Sequence, residues 1–130
     1  MSYMPKKVIM EVYFRSEGLC ELTGSNYRCE QHHIVFRRHN NHDPEAVINL
    51  GWHKHKGNEG VHGKNGHALD LDLKRGLQMY YERKGLSEDE IYIKMGNKFY
   101  DTDKPINGDV ERHFEKIWQL YHEKEYVYLN

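Results

Sequence analysis

Tyr27-Arg28-Cys29-Glu30-Gln31-His32-His33-Ile34-Val35-Phe36 is the stretch that decides how this chain is read, together with Trp52-His53-Lys54-His55-Lys56-Gly57-Asn58-Glu59-Gly60-Val61-His62-Gly63 downstream. The first run has the length and residue types of a strand. Alternation puts Cys29, Gln31 and His33 on one face and His32, Ile34 and Phe36 on the other. A polar loop, Arg37 to Pro44, follows, and Ala46 to Leu50 is apolar enough for a second strand. Trp52 to Lys56 can begin a short helix, which Gly57-Asn58-Glu59-Gly60 interrupts before a glycine-rich turn through Gly66. Eight of the ten histidines lie between His32 and His67.

Outward from this centre the chain is plainer. Lys6 to Arg15 is apolar at both helical and strand spacing, and we expect a helix ended by Gly18. Cys20 to Asn26 is a row of turn residues. Beyond Gly66, Leu69, Leu73, Leu77 and Tyr80 or Tyr81 recur at helical spacing up to Gly85, a natural stop. Ser87-Glu88-Asp89-Glu90 reads as a capping box for a short helix closed by Gly96. Asp109 can cap a last helix with Val110, Phe114, Ile117 and Tyr121 on one stripe. Tyr80, Tyr81, Trp118 and Tyr121 fit a core between these helices. The plan is α+β: a histidine-rich unit over residues 1–66 and a helical tail over residues 67–130 packed on it.

The chain has 130 residues, enough for one modest core. A net charge of −1 argues against an abundant, non-specific nucleic-acid binder, because the whole-protein field pulls weakly on phosphate. A local basic patch or a bound cation handles phosphate whatever the total. Two cysteines, Cys20 and Cys29, cannot build a disulfide framework, and no apolar run is long enough to span a bilayer. The expectation is a soluble, cytoplasmic protein with reduced thiols and no membrane partner.

The histidines carry the chemistry. His32 and His33 point to opposite sides of a strand, so one can bind an ion while its neighbour acts as a base. Neutral imidazole suits first-row divalent metals. His55 and His62 are seven residues apart, roughly 10 Å along an unbroken helix. A shared ion therefore requires the chain to fold back, and Gly57 and Gly60 can supply the break. Arg37 and Arg38 follow the strand directly and could grip a phosphate, or be solvated loop arginines. Lys54 and Lys56 could begin a basic track for DNA that Lys64, Lys74 and Arg75 extend, or be ordinary charged surface. His39, His42, His53 and His67 read as solvated, with His53 a substitute ligand.

Cys20-Glu21-Leu22-Thr23-Gly24, Glu30-Gln31-His32-His33-Ile34, Asn49-Leu50-Gly51-Trp52-His53-Lys54-His55 and Gly60-Val61-His62-Gly63 resemble, in that order, the HNH nuclease module. The ending Gly-Val-His-Gly, a following helix Leu69 to Gln78 and the segment Met95 to Tyr100 resemble small phage-type members of that family. The resemblance covers roughly Gly18 to Tyr100. It implies a ββα-metal (His-Me finger) unit with a C-terminal helical extension, and a metal-dependent DNA endonuclease working in a bacterial host cell. It makes His32, His55 and His62 the ligands of one divalent ion, Mg or Mn first and Zn or Ni as alternatives. His33 becomes the general base. The motif asparagine, which steadies the active-site loop, would be Asn49, or Asn40 next, with Asn41 in the same interval.

Two positions depart from the family pattern. Thr23 stands where the second knuckle cysteine would be and Gly51 where the cysteine of the later Leu-Cys segment would be, so a four-ligand structural zinc is not expected. That loss and the near-neutral charge leave open an alternative, a catalytically degenerate module that binds DNA or a host protein. The ending Glu123 to Asn130 reads as an added strand or a contact for a protein partner.

Overall fold

The computed structural model describes residues 4–36 and 39–123, and the architecture is mixed α+β, with a two-stranded antiparallel sheet and five α-helices among the described residues. The expected terminal strand, and Arg37 and Arg38, lie outside that range. Helix α1 (Lys6–Ser16) buries Val8 and Val12 against Met4 and Val47. It ends where Glu17 and Gly18 turn left-handed and their N–H groups donate to Phe14 and Tyr13 carbonyls.

Strand β1 (Glu30–His33) pairs with β2 (Val47–Leu50), and His32 lies opposite Ile48 and His33 opposite Val47. The ladder is shorter than the alternation over Tyr27 to Phe36 predicts. Arg28 sits at φ 47°, a left-handed backbone that no strand tolerates, so extended pairing begins only at Glu30. At the other margin a 3-10 turn opened by Pro44 takes Ala46 out of the second strand.

Helix α2 (Trp52–His55) follows β2 directly, and α3 (His67–Lys84), α4 (Glu88–Lys94) and α5 (Gly108–Trp118) form the rest. Gly85 stops α3 at φ 90°, and Ser87 and Glu90 make both reciprocal bonds of the capping box. The cap of α5 is Asn107 rather than Asp109. Asn107 Oδ1 accepts from the N–H groups of Asp109 and Val110, which puts the Asp109 carboxylate in the first turn, where it favours the helix dipole. Past Trp118 the coil widens into a π-helical turn, Gln119–Glu123.

One core joins the two halves. Leu22, Ile34, Ile48 and Leu50 pack with Leu73, Leu77, Tyr81, Ile91, Met95, Val110, Phe114 and Ile117. The junction also holds a buried ion pair that spacing could not suggest. Arg15 donates to both Glu21 carboxylate oxygens, to the Pro44 and Val47 carbonyls and to the Tyr121 hydroxyl, tying α1 to the hairpin and the last turn. Both side chains of the pair are under a tenth exposed. A guanidinium this fully bonded tolerates burial; removing either partner would strand a charge.

Candidate metal centre

Gly51 opens α2 and the helix lasts one turn, so His55 comes at its end, its ring turned toward β1. The chain then reverses. Gly57 N–H donates to Trp52 O and Gly60 N–H to Gly57 O. The returning strand of the loop lies against α2 by two further bonds, Val61 N–H to Lys54 O and His62 N–H to His55 O at 2.8 Å. His62 is thereby set beside His55 rather than two turns away from it.

The three rings of His32, His55 and His62 converge. Their centroids are 5.3 Å (32 to 55), 4.9 Å (32 to 62) and 4.7 Å (55 to 62) apart. One nitrogen from each lies within 4.8 Å of the others. A tetrahedral ion with bonds of roughly 2.0–2.1 Å wants ligand nitrogens about 3.3 Å apart, a spacing inside that limit. His32 and His55 are buried and His62 is exposed, so the cluster opens to solvent on one side. This group could hold a metal ion.

Electrostatics agree with that use. Burial, and then the neighbouring His55 and His62, push His32 down to about 3, so its ring is neutral and its lone pair available. Burial and His62 also lower His55, against a weaker upward pull from Glu30. Among the described residues, His32 Nε2 and His55 Nδ1 are buried and make no hydrogen bond. His32 Nε2, a buried imidazole nitrogen with no hydrogen bond beside two further imidazole rings, is an expensive arrangement unless something coordinates it. Glu30 stands 3.7 Å from His55 Nδ1 and is itself paired with Lys56 at 3.0 Å.

His33 leaves the strand on the opposite side, where its Nε2 lies 3.1 Å from His42 Nδ1. His42 belongs to the loop histidines that sequence reasoning sets aside as solvated; nothing in the local pattern marks it, because its partner is nine residues back. The asparagines divide by role. Asn49 donates to the Leu19 carbonyl and its N–H donates to Glu21, which stitches the knuckle to β2. Asn40 is exposed at φ 56°. Asn41 is the buried one, donating to Tyr81 Oη and Lys94 O and accepting from the Asp43 N–H. It is the asparagine that holds the loop carrying His42. Lys54 is half-buried on α2 and Lys56 is exposed. Cys20 is buried and Cys29 half-buried, both as free thiols, and a Cβ at Gly51 would lie 3.3 Å from that of Cys20.

No family model, curated protein or solved structure compared with this chain matches it. Among the described residues, no helix is long and apolar enough to cross a membrane.

Proposed function

We propose that this chain is a metal-dependent nuclease of the HNH kind, in which β1, β2 and α2 make a ββα-metal unit. The observation that carries the reading is the convergence of His32, His55 and His62 on one side of β1 while His33, the next residue, pairs with His42 on the other. His32, His55 and His62 would hold one divalent cation. Bound there, it would supply charge neutralisation at the phosphate oxygens and at the leaving oxygen of a DNA phosphodiester.

The chain's own residues account for the rest. His33 is the base that takes a proton from the attacking water. A shared hydrogen between His33 Nε2 and His42 Nδ1 fixes the ring and its tautomer, and Asn41 holds the loop that delivers His42. Glu30 faces His55 and raises its basicity as a ligand. Lys54 and Lys56, on α2 and just past its end, are where a DNA backbone would approach.

The test is plasmid nicking with Mg or Mn, run beside calorimetric metal titration. His33→Ala should lose nicking and keep metal binding, and His55→Ala should weaken the metal. Equal background cleavage by wild type and His33→Ala would end the hydrolytic reading. Metal binding with no nicking would leave a DNA- or protein-binding module.

A further inference from the structure

Helix α1 buries Val8 and Val12 and turns an apolar face outward as well. Ile9 is 43 % exposed, Met10 47 %, Tyr13 57 % and Phe14 67 %. At about 3.6 residues per turn, Lys6, Met10, Tyr13 and Glu17 share one stripe opposite Val8 and Val12, with Ile9 and Phe14 on its flanks. The helix beneath is held firmly. Val8 and Val12 pack on Met4 and Val47, Gln31 Nε2 donates to the Ile9 carbonyl at 2.8 Å, and Arg15 ties the last turn to Glu21. The four apolar side chains bare a patch on the order of 500 Å², near the largest that monomers ordinarily show.

The charges at the two ends of the stripe run against the helix's own dipole. Lys6 and Lys7 stand in a first turn that holds no acid, and Glu17 is the C-cap. A helix N-terminus favours an anion and a C-terminus a cation, so each end carries the wrong sign. Arg15, the basic residue of the last turn, is already bonded to Glu21. A second copy of the helix laid antiparallel answers both ends. With a two-fold axis level with the Glu11–Val12 peptide, Lys6 comes level with Glu17 of the second copy, Met10 with its Tyr13 and Ile9 with its Phe14. Opposite charges then meet at both ends, each Glu17 reaches the N-terminus of the neighbouring helix, and the apolar side chains cover one another between. An anionic membrane suits the face less, because it would draw the Lys6 end and repel the Glu17 end.

We propose that this face of α1 is a self-association surface that pairs two copies of the chain as an antiparallel, two-fold dimer. It stands apart from the nuclease reading and needs no metal. The contact is isologous, so every side chain in it is used twice. It covers about 1,000 Å² in total, the lower end for specific interfaces, so association is reversible, with a dissociation constant on the order of 10–100 µM.

The test is sedimentation velocity of the full chain in low salt, from roughly 1 to 300 µM, a range that brackets that affinity. EDTA keeps the histidine cluster from bridging two copies through an ion. The mass should rise with concentration from 15.6 kDa toward twice that value. Met10→Asp sets a carboxylate near the axis in both copies and should keep the chain monomeric throughout. Lys6→Glu and Glu17→Lys should each weaken association about 10- to 30-fold, because two attractive pairs become repulsive. Mixed in equal amounts, these two variants should pair again, since one carries acid at both ends of the stripe and the other base at both. In a parallel pair like residues face each other, and neither single variant would weaken it. Ile93→Ser, which removes an exposed apolar side chain from α4, should change nothing. All these side chains are on the surface, so thermal melts should show the variants folded. A chain monomeric across the whole range, or a dimer that Met10→Asp leaves intact, would overturn the proposal. So would charge variants that weaken the dimer and do not recover on mixing. A monomer that binds vesicles of phosphatidylserine and phosphatidylcholine through Met10 would give the face to a membrane instead.

Discussion

Gly63→Ala tests the fold-back on which the metal centre depends. A Cβ at position 63 would lie 1.8 Å from the Gly57 carbonyl oxygen and 2.7 Å from that of Asn58. Real Cβ atoms keep at least 3.0 Å, so the Gly57 carbonyl must retreat by about 1.2 Å, and no flexible side chain is present to absorb the shift. Gly57 O is also the acceptor for Gly60 N–H, so the displacement runs into the turn that seats His62 against His55. Metal-ligand bonds tolerate only about 0.2 Å, so His62 should drop out of the ligand set. Dividing the roughly 10–16 kcal/mol of a four-ligand zinc site among its ligands gives about 3 kcal/mol for one. That corresponds to a loss of affinity on the order of a hundredfold. Titration calorimetry with Zn or Ni reads it directly, and circular dichroism in EDTA shows whether the fold survives. His62→Ala removes the same ligand from an exposed position without backbone strain and should lose a similar factor. Gly108→Ala, whose new Cβ would meet only Arg112 Nη1 at 3.8 Å, should leave affinity unchanged. Wild-type metal affinity in Gly63→Ala and in His62→Ala would refute the fold-back as the basis of the site.

His113 is held neutral down to about 3, by burial first and then by the charges of Arg15 and Lys116, with Glu21 facing its Nδ1 at 3.8 Å. In the unfolded chain the same ring takes a proton near pH 6.5, so the unfolded state binds more protons below that pH. Stability should be intact above pH 6.5 and fall as pH drops toward 3, by up to about tenfold in the folding constant per unit. Urea midpoints of wild type and His113→Gln between pH 6.5 and 5 should therefore diverge in slope; parallel lines would contradict a buried neutral ring. Tyr81→Phe removes the hydroxyl that donates to Asp43 and accepts from Asn41, leaving one N–H of the buried Asn41 amide without its partner. A loss of about 1–3 kcal/mol in denaturant unfolding is expected, and a change under 0.5 kcal/mol would contradict it. Asn107→Ala takes the cap from α5 and should cost about 1 kcal/mol by the same assay, while Asp109→Ala should cost less because that side chain is not the cap.

What the sequence makes legible is what neighbours in the chain decide. Ser87 and Glu90 are three residues apart, and their capping box needs nothing else to form. The break at Gly57 and Gly60 is local too, and so is the alternation that separates His32 from His33. The hidden features bind at long range. Arg15 reaches Tyr121 across 106 positions, Gln78 reaches Tyr100 across 22, and Asn41 reaches Lys94 across 53. No periodicity in a window of 18 residues or fewer can announce such pairs. His42 is the instructive case, since it looks like His39 and His53 in composition and differs from them only in what the folded loop sets beside it.

The same contrast explains why the histidine cluster needs the helices that follow it. A two-stranded hairpin ordinarily leaves one face in water, yet His32 and His33, on opposite faces, are each only 7 % exposed. One face is covered by α2 and the returning loop. The other, which His33 shares with Val47 and Gln31, lies under α1, where Gln31 donates to the Ile9 carbonyl, and under the loop through His42. That loop is fastened by Asn41 and Asp43 to Tyr81 of α3 and Lys94 of α4. The chemistry-bearing side chains are all written before Gly66, and the partners that fasten the loop bringing His42 to His33 are written after it.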